Sequence, residues 1–135
     1  MGAIVMLSLQ ESLRDALQEW RAGDKTDAGQ ELVGVFVFPD SFPGFAGHFP
    51  EQPVLPAIIQ LAAVRHLAEL ALGQDLVPQE CQRAKFRDIV QPQEELTVKA
   101  TLVEKENGWL ARFSLNKDEV SVSGGNLLFK TAAEV

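Results

Sequence analysis

Apolar residues recur at two different periods along this chain, and the changes of period lay out its elements. Leu9, Leu13, Ala16, Leu17 and Trp20 fall at helical spacing between Ser8 and Ala22, which predicts an amphipathic helix with one apolar stripe. Ser8 followed by Glu11 fits a capping box, and Gly23-Asp24 follow as a stop. Glu31 to Phe38, ELVGVFVF, is rich in β-branched and aromatic residues and reads as a strand broken by Pro39-Asp40. From Ala57 to Leu72 apolar residues cover most of a helical circumference, so this helix is expected to be buried. Gly73 is placed to end it.

Beyond that point the pattern alternates between strand and turn. Glu80 to Val90, Glu95 to Val103, Gly108 to Leu115 and Glu119 to Lys130 are four strand candidates. Gln91-Pro92, Glu106-Asn107-Gly108 and Asn116-Lys117-Asp118 mark the turns between them. Helix and strands are segregated, which places the chain in the α+β class. A single antiparallel sheet wrapped around one apolar helix satisfies the order. The 135 residues fit one domain, with a body of about 31–130 and an N-terminal helix of about 8–22.

Composition narrows the function. No run reaches the roughly eighteen apolar residues of a membrane span, and the mildly apolar MGAIVMLSL has no basic lead-in. The expectation is a cytoplasmic protein. A formal charge of −7 argues against nucleic acid as a partner. Cys81 is the single cysteine and there are two histidines, far apart in sequence, so neither a disulfide nor a metal cluster is expected.

The stretch FPGFAGHFPEQPVLP, ahead of the buried helix, carries the candidate chemistry. Pro50, Pro53 and Pro56 recur at every third position and stiffen the backbone. Pro56 suits the first turn of a helix. The next amides have no intrahelical partner and point forward with the positive end of the helix dipole, where a polarised carbonyl is stabilised. His48 stands just upstream, and a neutral imidazole there suits proton abstraction near neutral pH. An ordinary turn with a hydrogen-bonded or solvated His48 satisfies the same spacing.

GHFPEQPVLPAIIQL resembles the signature of the hot-dog-fold 3-hydroxyacyl-(acyl carrier protein) dehydratases, close to GHFPxxPVxPG followed by an apolar helix. The Gln60-Leu61 pair is most similar to the branch associated with aryl-polyene biosynthesis. AKFRDIVQPQEEL resembles the family's later strand and turn, where a KFR-like segment leads to Pro-Gly-Asp. The resemblance implies a central helix wrapped by an antiparallel sheet, and a homodimer with sites at its interface. It further implies His48 as base toward the α-proton of a 3-hydroxyacyl thioester, a helix carboxylate from the other subunit, and no metal or redox cofactor. Amides at the helix start and in the GHF turn would hold the thioester oxygen, which makes Phe49, Ala57 and Ile58 substrate-binding positions. Phe42, Phe45 and Phe86 are further candidates for the walls of an acyl tunnel.

The chain departs from that pattern where the chemistry is most demanding. The helix carboxylate stands six residues after the last proline of the signature, and here that position is Ala62. Ala57, Glu51 and Gln93-Glu94 stand where the family has Gly, Gly and Gly-Asp. A leaving hydroxide needs a proton, and a general acid is commonly worth about a hundredfold or more. His66, one turn further along the helix, and Glu51 in the loop are the candidate second groups. A polar strip in which Arg65 and Glu69 pair at i,i+4 accounts for His66 equally. Three functions remain open: a dehydratase-like hydro-lyase, a hot-dog acyl thioesterase, and an acyl-thioester-binding subunit completed by a partner chain, as in a heterodimer with a paralogue. Arg83, Lys85 and Arg87 alternate along a predicted strand and make one basic face. An acidic acyl carrier protein would dock there; coenzyme A is the alternative carrier, and a solvated strand face is the plain alternative. Ser121 and Ser123 read as sheet surface.

Overall fold

The computed structural model describes residues 2–45 and 54–132, with side chains described from residue 9 onward. Helix α1 (Gly2–Ala16) leads into strand β1 (Leu17–Ala22) and, after a turn, β2 (Gln30–Val37). A short 3₁₀ turn (Pro43–Phe45) precedes the long helix α2 (Ala57–Leu72). Four strands complete the chain: β3 (Leu76–Phe86), β4 (Glu95–Lys105), β5 (Gly108–Lys117) and β6 (Val120–Thr131). All pair antiparallel in one sheet of order β1-β2-β4-β5-β6-β3.

The sheet's inner face and α2 make the core. Leu32 and Phe36 of β2, Val98 of β4, Leu115 of β5 and Phe129 of β6 are buried at alternate strand positions. Ile59, Ala63, Val64, Leu67 and Ala68 of α2 pack against them. The helix sits close because β2 has no side chain at its centre. A Cβ on Gly34 would stand 2.6 Å from Leu67 Cδ2. Gly73 caps α2 in the left-handed region, φ 66°, and its N–H donates to Glu69 O at 2.8 Å. The expected bounds of α2 are the observed ones.

The N-terminal expectation is corrected. The helix ends at Ala16, and Leu17–Ala22 is an edge strand, with Trp20 opposite Gly34. Pairing with β2 outweighs the helical spacing of those residues. Upstream, the apolar residues from Ala3 to Leu7 extend the helix, so Ser8 lies inside it and is no cap. Leu13 and Ala16 still face the core.

The strand expected from Glu80 to Val90 lies further upstream, at Leu76–Phe86. It pairs with β6 through two irregularities, between Pro78 and Glu80 and between Gln82 and Lys85, and Arg83 has φ 55°. Each bulge inserts a residue and breaks the two-residue alternation. Arg83, Lys85 and Arg87 are all exposed, but they do not form the single regular face expected, and Arg87 lies beyond the strand.

Ser123 is not sheet surface. It is 1% exposed and donates to Gln60 Oε1 at 2.8 Å. A one-residue shift in the β5–β6 register sits beside it. Phe42 and Phe45 belong to an aromatic cluster of the core. Phe38 meets Phe42 edge-on at 4.7 Å, and Phe42 meets Phe45 at 6.0 Å.

Candidate active site

The start of α2 is built without a side-chain cap. Pro56 is extended, φ −61° and ψ 151°, and its carbonyl receives the N–H groups of Ile59 and Gln60 at 3.0 and 3.2 Å. The N–H groups of Ala57 and Ile58 lie ahead of that ladder. The approach to the helix is fixed by the connection between β3 and β4. Leu55 N–H donates to Val90 O at 2.8 Å, and Arg87 N–H donates to Val122 O at 2.7 Å. Lys117 Nζ lies 3.7 Å from Asp88 Oδ2 and 3.2 Å from Glu94 Oε2. Glu94 Oε1 also accepts the Gln91 N–H at 2.7 Å. The two motifs singled out in the sequence therefore meet. Val54–Ala57 and Gln60 on one side, and Phe86–Ile89 on the other, enclose a hollow of about 340 Å³.

Within that frame, residues 24–126 match the family model ApeI-like, described as ApeI dehydratase. The chain belongs to the ApeI-like dehydratase family. It is 29% identical over 94 residues to the 3-hydroxyacyl-[acyl-carrier-protein] dehydratase FabZ of Rickettsia rickettsii (strain Sheila Smith), a match covering 63% of this chain. The chain spans 65% of that relative's length. Among solved structures it is similar to the dehydratase heterocomplex ApeI:P from Xenorhabdus doucetiae, with TM-score 0.69, 24% identity, and coverage of 84% of this chain and 96% of that one. A hypothetical thioesterase with coenzyme A from Streptococcus pneumoniae is similar at TM-score 0.63 and 11% identity, covering 94% of this chain and 96% of that one. These likenesses and the sheet wrapped on α2 make this a hot-dog fold.

The family's second motif explains a local oddity. Gln93, where the pattern has glycine, is held at φ 69°. Its N–H donates to Phe38 O at 2.8 Å, which ties the turn to the end of β2. Glu94, where the pattern has aspartate, accepts from the Gln91 amide.

The remaining site candidates separate. His48, Phe49 and Glu51 lie outside the described residues. Ala57 borders the hollow at the helix start, as does Phe86. Ile58, 73% exposed, borders a second hollow of about 490 Å³ between α1, α2 and β3. Ala62 borders that second hollow too. His66 does not share it among the residues lining that space; it borders a third, of about 280 Å³, with Arg14, Glu69 and Asp75. Burial first, then Arg14 and Arg65, hold the His66 imidazole below its ordinary pKa of 6.5. Its Nε2 is enclosed without a partner among the described residues. Arg65 and Glu69 pair at 4.0 Å, as their spacing predicts. Among the described residues no group of His, Cys, Asp and Glu is arranged to hold a metal ion. None of their helices is long and apolar enough to cross a membrane.

Two polar residues were missed by sequence reasoning. Gln60 faces the sheet, away from the Ala62 side, as its spacing suggests, but its bond to Ser123 joins residues 63 positions apart. The available signal was a polar residue in the apolar run of α2 and a serine amid a strand.

Proposed function

We propose that this chain is a cytoplasmic, dehydratase-like protein acting on a 3-hydroxyacyl thioester carried by an acyl carrier protein or coenzyme A. His48 takes the α-proton, the electron pair moves in to form the α,β double bond, and the 3-hydroxyl departs with a proton as water. The amides of Ala57 and Ile58 stabilise the charge that develops on the thioester oxygen. Phe86, on the wall of the hollow, is the described aromatic residue available to the acyl chain, and Arg83, Lys85 and Arg87 favour an acidic carrier. The observation that carries this reading is the uncapped start of α2 opening on the hollow walled by Phe86–Ile89.

A second reading follows from Ala62, that the acid comes from another hot-dog chain. Ala62 borders an apolar hollow beside edge strand β3. Glu80, a carboxylate on the rim of that hollow, sits opposite Leu128, one position away from the buried Leu127 that faces α2. The related Xenorhabdus structure is a heterocomplex. His66 and Glu51 are the candidate acids within this chain in the homodimeric case.

The purified chain, alone and mixed with a hot-dog chain that carries a helix carboxylate, is offered 3-hydroxyacyl and acyl thioesters. Formation of the enoyl thioester supports dehydration, and turnover only in the mixture supports the completed heterodimer. Release of free thiol instead assigns a thioesterase. Undiminished dehydration by His48→Ala removes that residue as the base.

A further inference from the structure

Gln60 and Ser123 form a polar contact inside the apolar seam between α2 and the sheet. They are 3% and 1% exposed. An apolar pair at such a place costs nothing in desolvation, whereas each polar group buried there needs a partner. Ser123 has one hydroxyl hydrogen, and it goes to Gln60 Oε1 at 2.8 Å. That bond fixes the orientation of the amide, with its oxygen toward β6 and its nitrogen turned from it. No described residue accepts from Gln60 Nε2. The residue borders the hollow at the helix start, together with Pro56 and Ala57. Gln60 thus brings a neutral N–H donor to the same space as the first-turn backbone amides that lie ahead of the helical ladder.

We infer that Gln60 is a carbonyl-binding residue of the site, and that Ser123 is a positioning residue acting through it. The ligand group is the thioester carbonyl oxygen of an acyl chain. A neutral amide that is already oriented suits an oxygen that gains negative charge during reaction. This inference rests on the function proposed above and adds a side-chain donor to it.

The test compares two pantetheine probes with the same alkyl chain. In one a ketone replaces the thioester; the other is a thioether with no carbonyl. The full chain is titrated with each by calorimetry, as wild type, Gln60→Met, Gln60→Glu and Ser123→Ala. Wild type is expected to prefer the ketone by more than about three- to tenfold, the range of a single neutral hydrogen bond. Gln60→Met lowers the preference about threefold or more, to what the Ala57 and Ile58 amides supply, while thioether binding holds, and Ser123→Ala lowers it less. Gln60→Glu keeps an acceptor for Ser123 but lacks the N–H donors, so it gives the same result if Gln60→Met fails to fold. A preference unchanged from wild type in both Gln60 variants overturns the inference and leaves Gln60 as a helix–sheet tie. Equal loss on both probes does the same. If wild type binds neither probe, the thioester reading itself fails, and this inference falls with it.

Discussion

Replacing Gly34 with alanine puts a methyl group where α2 rests on the sheet. The new Cβ would lie 2.6 Å from Leu67 Cδ2 and 2.9 Å from Leu67 Cδ1. Both distances are well inside carbon–carbon contact at about 3.5–4.0 Å, so Leu67 must give by close to an ångström. Leu67 is fully buried and cannot swing into solvent. Overpacking of this kind costs about 1–3 kcal/mol, which for a chain of this size is a fall in Tm of about 3–15 °C. Thermal melts followed by circular dichroism measure it. Leu67→Val removes the two crowding methyls and by itself leaves a small gap costing about 1 kcal/mol. Combined with Gly34→Ala, it should be more stable than the sum of the two single effects by about 1 kcal/mol or more. Additivity within about 0.5 kcal/mol, or a Gly34→Ala variant as stable as wild type, would refute the close seating of α2 on β2.

Gln93→Gly should raise stability modestly. The left-handed backbone at φ 69° costs a non-glycine residue about 1–2 kcal/mol, of which glycine's greater chain entropy returns about half; a lowered Tm would contradict this. Stability should also decline as pH falls below 6.5 toward the lowered value of His66. The unfolded chain takes up that proton first, so protonation favours unfolding. In the fold the new charge would face Arg14 and Arg65, with Glu69 and Asp75 across the same hollow. His66→Gln should flatten this part of the pH–Tm curve, and an unchanged slope would remove His66 as its source.

The central helix was legible to its bounds because its signals are local: a proline at the start, a glycine at the end, and apolar residues on nearly every side between. β4 and β5 were legible because alternation and turn residues agree. The misplaced elements share a different cause. Leu17–Ala22 has helical spacing, yet it lies along the edge of β2, and that pairing is decided by partners 10 to 19 residues away. Two bulges in β3 shift its phase, and no residue between Pro78 and Lys85 announces them. Ser123 looked like strand surface because its partner lies on α2. The motif around His48 was readable only by likeness to a family, since spacing alone equally suits a plain turn.

The clasp between Leu55 N–H and Val90 O joins the two signature segments through main-chain atoms alone. Such a joint is indifferent to which side chains flank it. Substitution can therefore accumulate at 57 and 62 while the mouth of the cleft keeps its shape. A lineage in this position is free to trade one reaction for another, or to hand part of its chemistry to a companion chain, without first rebuilding its entrance.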